Sequence, residues 1–144
     1  MSIGKETKGH GAPWEDSYGY CQAVKVGNII YLSGQLSHDA DGNFVAPAPV
    51  NENNHILDHS NMAAQMRQTY LNAKTILATY GASLDNVVEE VIYVTEMDEA
   101  MAVAGDVRKE AYGVDKPQVA STILVTPRLA LPPQLVEVKF VAHL

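Results

Sequence analysis

The run from Leu135 to Val141 alternates in a way that suits a sheet covered on one face only. Successive side chains of a strand point to opposite sides, so Val136, Val138, Phe140 and Ala142 share one face. Leu135, Glu137, Lys139 and Val141 share the other. The first face is wholly apolar and predicts packing on a helix layer. The second sets a carboxylate among aliphatic neighbours, which is costly to bury unless the carboxylate is hydrogen-bonded or used. Glu137 is therefore the first candidate for chemistry, against the plainer reading of an edge strand with Glu137 in water. A second strand, Gln118 to Thr126, is rich in β-branched residues and ends at Pro127. The two read as a C-terminal strand pair joined by Pro127–Gln134, a connection with three prolines.

Upstream, the polar, Gly-rich residues 1–16 read as a flexible N-terminal arm, with Pro13 and Trp14 its only strong features. Residues 17–144 read as one folded unit. Tyr18–Val26 and Ile29–Gln35 are strand-like and flank Gly27-Asn28, a hairpin turn signal. His38–Asn54 is a loop with an Asp41-Gly42 turn and two prolines that exclude regular helix. Met62, Met66, Ala73, Ile76, Leu77 and Tyr80 then recur at helical spacing, with Asp58 or Ser60 as cap and Gly81 as stop. A strand Val87–Thr95, with Val88, Ile92 and Val94 on one face, leads to a helix Glu99–Tyr112 capped by Asp98. That helix buries Ala100, Ala104, Val107 and Ala111 and closes at Gly113. The order predicts an α+β fold: a single mixed sheet with two helices on one face. Two helices cover one side only. The other, with Leu135, Val141 and part of the first hairpin, is too apolar for water and predicts a second subunit over it.

Composition narrows the function classes. The formal net charge is −7 and no Lys/Arg cluster appears, which argues against a nucleic-acid partner. No apolar run is long enough to span a bilayer, and no signal peptide precedes the fold. The single cysteine, Cys21, allows no intrachain disulfide, so a reducing cytoplasm is the expected compartment. Cys21 has no histidine near it in sequence and reads as a small residue, not a nucleophile. His38, Asp39, Asp41, His55, Asp58 and His59 fit no standard metal-ligand spacing and read as polar loop. Tyr31, Tyr70, Tyr80, Tyr93 and Tyr112 read as core or interface packing.

Four short stretches in order resemble the Rid family, the reactive-intermediate deaminases also called YjgF-like or L-PSP-like proteins. They are Tyr20-Cys21-Gln22-Ala23-Val24, Ser33-Gly34-Gln35, Ala64-Gln65-Met66-Arg67-Gln68 and Leu135-Val136-Glu137-Val138. The resemblance spans roughly Tyr18 to Ala142. It implies a chorismate-mutase-like homotrimer with three sites in clefts between subunits, and hydrolysis of reactive imines or enamines without metal or organic cofactor. Glu137 would hold the attacking water, Tyr20 and Ser33 would line the cleft, and the start of the Gln118 strand, at Ser121 and Thr122, would meet the substrate.

The chain also departs from the family pattern. Deaminating members carry Pro-Ala-Arg-Ser or Pro-Ala-Arg-Thr where this chain reads Val119-Ala120-Ser121-Thr122, so Ser121 stands in place of the arginine that would fork a substrate carboxylate. Ile123 stands for the family's cysteine and Asp98 for its asparagine. Arg128 lies seven residues along from Ser121, roughly 23 Å at ~3.3 Å per residue, too far to substitute within one chain. Activity on small 2-imino acids is thereby placed in doubt, and hydrolysis of a neutral or bulkier substrate stays open. The alternative class is a non-catalytic trimer that binds a small metabolite or a protein in the same cleft. The ribonuclease and translation-inhibitor labels attached to some family members fit the acidic balance poorly.

Overall fold

The computed structural model describes residues 3–144. Six strands form one sheet: β1 Glu6–Lys8, β2 Ala23–Val26, β3 Ile29–Gln35, β4 Val87–Val94, β5 Ala120–Val125 and β6 Val136–His143. Their spatial order is β1-β2-β3-β6-β4-β5. All neighbours are antiparallel except β4 and β5, which run parallel. A short helix α1, Pro13–Tyr18, precedes β2. Two long helices, α2 Met62–Ala78 and α3 Met97–Tyr112, pack on one sheet face. The sheet is mixed and the layer arrangement is the one expected from the sequence.

The core lies between that sheet face and α2. Val136, Val138, Phe140 and Ala142 of β6 are fully buried, as are Met62, Met66, Ala73 and Leu77 of α2. Burying a large aliphatic or aromatic side chain contributes roughly 1.5–3 kcal/mol, so this seam carries much of the fold. Ala100, Ala104 and Val107 bring α3 onto the same core, and Gly113 ends it at φ 73°.

Several local expectations are corrected. The C-terminal strands are not paired with each other, because β4 lies between them. The parallel β4–β5 pair needs a long crossover, and α3 supplies it. Tyr18 ends α1, and regular β2 begins only at Ala23. In β4 a bulge between Val87 and Glu89 turns Val88 outward and puts Val87 and Glu90 on the helix side with Ile92 and Val94. Leu135 is fully buried, not on the open face. Its amide donates to Gln65 Oε1 at 2.8 Å, while Gln65 Nε2 donates to the carbonyls of Ala46 and Pro133. The expected caps also move. Glu96, not Asp98, accepts from the first amides of α3. Asp58 accepts from Ser60 in the turn before α2, whose own cap position is Asn61.

The expected arm is docked from Glu6 onward. β1 forms the sheet edge, with Glu6 paired in register to Lys25 and the two side chains 2.9 Å apart. Met1 and Ser2, which that reading also assigned to the arm, lie outside the described residues. No helix among the described residues is long and apolar enough to cross a membrane.

Candidate active site

The site grows from an irregularity in β3. Pairing with β6 runs regularly to Leu32 opposite Phe140 and resumes at Gln35 opposite Val138, so Ser33 and Gly34 together face the single residue Lys139. Such a bulge re-aims side chains and is common beside active sites. Here it sets Ser33 next to the β6 carboxylate and brings the Gly34 backbone against it. A methyl group on Gly34 would overlap the Glu137 carboxylate, so a side chain at that position would push the carboxylate out of its place.

Glu137 is half-buried, with one oxygen held and one open. Oε2 accepts a hydrogen bond of 2.8 Å from Gln134 Nε2. Gln134 is fully buried, and its own carbonyl oxygen accepts from the Leu131 amide at 3.1 Å. Oε1 has no donor among the described residues. Nor does Lys139 form an ion pair with it, although the two lie on the same face. The carboxylate is thus oriented by a fixed amide and keeps one free acceptor.

Glu137 lines a cavity of about 200 Å³. Tyr20, Ser33 and Gly34 line it too, together with Leu36, Ala130 and Leu131. Trp14 and Tyr18 of α1 line it as well. The Ser33 hydroxyl donates to the Cys21 carbonyl at 2.7 Å, which fixes its rotamer and leaves its lone pairs free. Burial is the main cause that pushes the Tyr20 phenol up, and the negative charges of Glu15 and Glu137 add to it. Tyr20 therefore stays protonated and can donate. A buried chain of amides supports Tyr20: Gln22 Nε2 donates to the Tyr20 hydroxyl at 3.4 Å, and Gln35 Nε2 donates to Gln22 Oε1 at 3.0 Å. His10 Nε2 meets Gln35 Oε1 at 2.8 Å.

Three of the five residues singled out from the sequence, Tyr20, Ser33 and Glu137, therefore share one cavity. Ser121 and Thr122 do not join them within the chain. Ser121 pairs in register with Glu90, on the helix side, and adjacent strand residues point to opposite faces. Its hydroxyl donates to Glu90 Oε1 at 2.9 Å and accepts from Arg108 at 2.9 Å. The expectation that Ser121 lines the cleft is corrected accordingly. Thr122 does lie on the open face, but β5 is two strands from β6, roughly 10 Å away at ~4.8 Å per strand. The open-face positions flanking Ser121 are Ala120 and Thr122, so β5 offers no cation there. Arg108 is committed to Glu90 at 2.6 Å and Arg67 to Glu110 at 3.0 Å, while Arg128 lies in a separate depression with His55 and His59. Asp98 sits in the first turn of α3.

Gln134, Trp14, Tyr18 and the buried Glu90 are the site and core residues that sequence reasoning missed. Glu90 is completely buried, and the Tyr70 and Tyr112 hydroxyls donate to it at 2.8 and 3.1 Å. Burial, followed by the Glu90 charge, raises both phenols. The loop histidines and aspartates do structural work: Asp39 accepts from the Asp41 and Asn43 amides, and His38 stacks edge-on against Trp14 at 5.1 Å. Among the described residues no three His, Cys, Asp or Glu side chains gather as a metal site.

Comparison with known proteins shows the family and the fold. A family model described as Endoribonuclease L-PSP matches residues 14–144. A RutC family protein of Pyrococcus abyssi is 31% identical over 98 residues, covering 68% of this chain and 67% of that one. The 3-aminoacrylate deaminase RutC of Acinetobacter baylyi is 30% identical over 124 residues, 86% of each chain. The crystal structure of a Mycobacterium tuberculosis member of the YjgF/YER057c/UK114 family superposes with TM-score 0.76, covering 98% of this chain and all of that one at 24% identity.

Proposed function

The chain belongs to the Endoribonuclease L-PSP family, which the Rid and YjgF names also denote, and from that premise we propose that it hydrolyses a reactive imine or enamine in the Glu137 cleft. The observation that carries the reading is the Glu137 carboxylate, held at Oε2 by Gln134, without a donor to Oε1 among the described residues, on the wall of a small, mostly apolar cavity. Imine hydrolysis asks little of a protein. Water must be held against the C=N carbon and give up a proton as it attacks, and the nitrogen must gain a proton to leave as ammonia or an amine. Glu137 Oε1 takes the first proton and returns it to the nitrogen, so the carboxylate is restored each turnover. Tyr20 donates to a polar group of the substrate, and Ser33 supplies a fixed acceptor beside it. The relative named 3-aminoacrylate deaminase supports this reaction class. No step calls for a metal or organic cofactor.

The assembly proposed with it is a homotrimer. The helix-free sheet face presents Tyr31 opposite Val141, Tyr93 opposite Leu124, and Val91 between those rows, and a second subunit laid over that face would close the cleft. The test is release of ammonia from imines generated in situ, wild type against Glu137→Gln. A second reading, a non-catalytic small-metabolite binder using the same cleft, is favoured by one observation: no basic side chain lines the cavity. Binding without turnover in that assay would select it. A ribonuclease reading gains nothing from the geometry, because a chain of net charge −7 with an acidic cleft repels phosphate.

A further inference from the structure

We propose, on the basis of the hydrolase reading of this cleft, that its substrate is a carboxylate-free imine, bound as the protonated cation and carrying a flat apolar group such as an aromatic ring. The argument starts from charge. Glu137 is the only charged side chain lining the cavity, and it is a carboxylate. Neither arginine that could have been recruited from the helix side is free, since Arg108 holds Glu90 and Arg67 holds Glu110. β5 offers Ala120 and Thr122 to the open face. A 2-imino acid would bring its own carboxylate toward Glu137 with no basic side chain in the cavity lining to neutralise either group. A protonated imine brings the opposite charge, and its N–H can donate to the acceptor that Glu137 Oε1 keeps open.

Shape gives the second half. Trp14 and Tyr18 stand four residues apart on α1, hence on one helix face, and both line the cavity. Tyr20 follows directly after the αL turn at Gly19. Three aromatic residues thus line the same cavity as Leu36 and Leu131. Aromatic faces attract cations and stack on flat rings. Trp14 is also braced: it packs edge-on against His38, which packs edge-on against His10 at 4.9 Å, and His10 is hydrogen-bonded to Gln35. The reaction balances without any further reagent. For an aryl ketimine it reads R(R′)C=NH₂⁺ + H₂O → R(R′)C=O + NH₄⁺. A C–O bond forms and the C–N bond breaks, and both water protons pass to nitrogen, one of them through Glu137.

The test uses stable stand-ins, titrated by calorimetry into the 144-residue protein. Benzamidine presents a planar cation on a ring, benzoate presents the same outline with a carboxylate, and pyruvate presents a carboxylate with no ring. The expected result is benzamidine bound at least ten-fold more tightly than benzoate, with pyruvate weakest. Glu137→Gln should abolish the preference for the cation. Trp14→Ala, or Tyr18→Ala should the first fail to fold by circular dichroism, should weaken benzamidine and benzoate alike. Benzoate or pyruvate binding as tightly as benzamidine would overturn the proposal. So would a cation preference that survives in Glu137→Gln, because the selectivity would then come from elsewhere. A cation preference together with no ammonia from any imine would overturn the hydrolase reading while leaving the ligand class standing, so the two failures are separable.

Discussion

Glu137 is legible from sequence because alternation sets it on the open face and the stretch Leu135-Val136-Glu137-Val138 resembles the family's glutamate strand, whereas alternation alone favours a carboxylate in water. What makes it usable is not legible there. Gln134, which holds Oε2, lies in an irregular proline-containing turn, and no periodicity links it to a residue three positions on. Gly34 matters through a contact across strands, at a bulge that no local pattern announces. Glu137→Gln keeps the outline and one acceptor for Gln134. It is expected to cut any ammonia release by ~10²–10⁴-fold, the usual range for a positioned base. The melting temperature should stay nearly unchanged, and full turnover in a folded variant would end the catalytic role. Ser121 shows the opposite error. A one-residue difference in register moves a side chain through the sheet, so a motif alignment placed it in the cleft when its hydroxyl serves Glu90 and Arg108. Ser121→Arg would set a second guanidinium beside Arg108 in a half-buried network. The expected outcome is a melting temperature lowered by several degrees, with no gain on 2-iminopropanoate. A gain would show that β5 re-registers.

At the scale of elements, α2 and α3 were readable because their apolar stripes are long. Their caps were less so, since Asp, Glu and Ser crowd both starts and only geometry selects among them. The N-terminal arm was misjudged for a clearer reason. Its composition is polar and Gly-rich, and what docks it is tertiary: β1 pairing with β2, Ala12 buried, and Trp14 against His38. That docking has a pH signature. Burial is the main cause that lowers His38 below the ordinary histidine value, with the neighbouring His10 adding to it, while the Asp39 carbonyl and the Asp39 and Glu15 charges oppose it. A folded pKa below the unfolded one, about 6.5, means that the unfolded chain binds the proton first. Stability is then level above pH ~6.5 and falls as pH drops through it, until the folded histidine also titrates. Asp39 and Glu6, whose carboxylates are lowered, lose stabilisation only at more acid pH, near and below their own ordinary values. The melting temperature should therefore drop between pH 7 and pH 5.5, and drop less in His38→Gln. Equal slopes in the two proteins would remove His38 as the cause.

For the whole molecule, the layer count was predictable and the strand order was not. A local reading pairs consecutive strands, whereas here β4 enters between β5 and β6, and the distant β3 takes the other edge of β6. That arrangement determines which residues share the helix-free face. Tyr31, 45% exposed, lies opposite Val141, and Glu89 and Ala120 continue the row; Val91 and Tyr93 face Lys139 and Glu137 from β4. Leu124 adds a further exposed aliphatic group beside Tyr93. Water is a poor neighbour for such a face, and the proposed trimer would cover it. Because Tyr31 is exposed in the single chain, Tyr31→Asp costs the isolated subunit little. In an assembly it buries an unpaired charge among apolar side chains, which is strongly unfavourable. Light scattering of the wild type at micromolar concentration should give three times the chain mass. Tyr31→Asp should give a smaller species that keeps its far-ultraviolet circular dichroism. If the cleft is completed by a neighbouring subunit, that variant should also lose ammonia release although Glu137, Gln134 and Tyr20 are untouched. A monomeric wild type would sink the trimer. A monomeric Tyr31→Asp with undiminished turnover would show that Trp14, Tyr18, Tyr20 and Glu137 suffice within one chain.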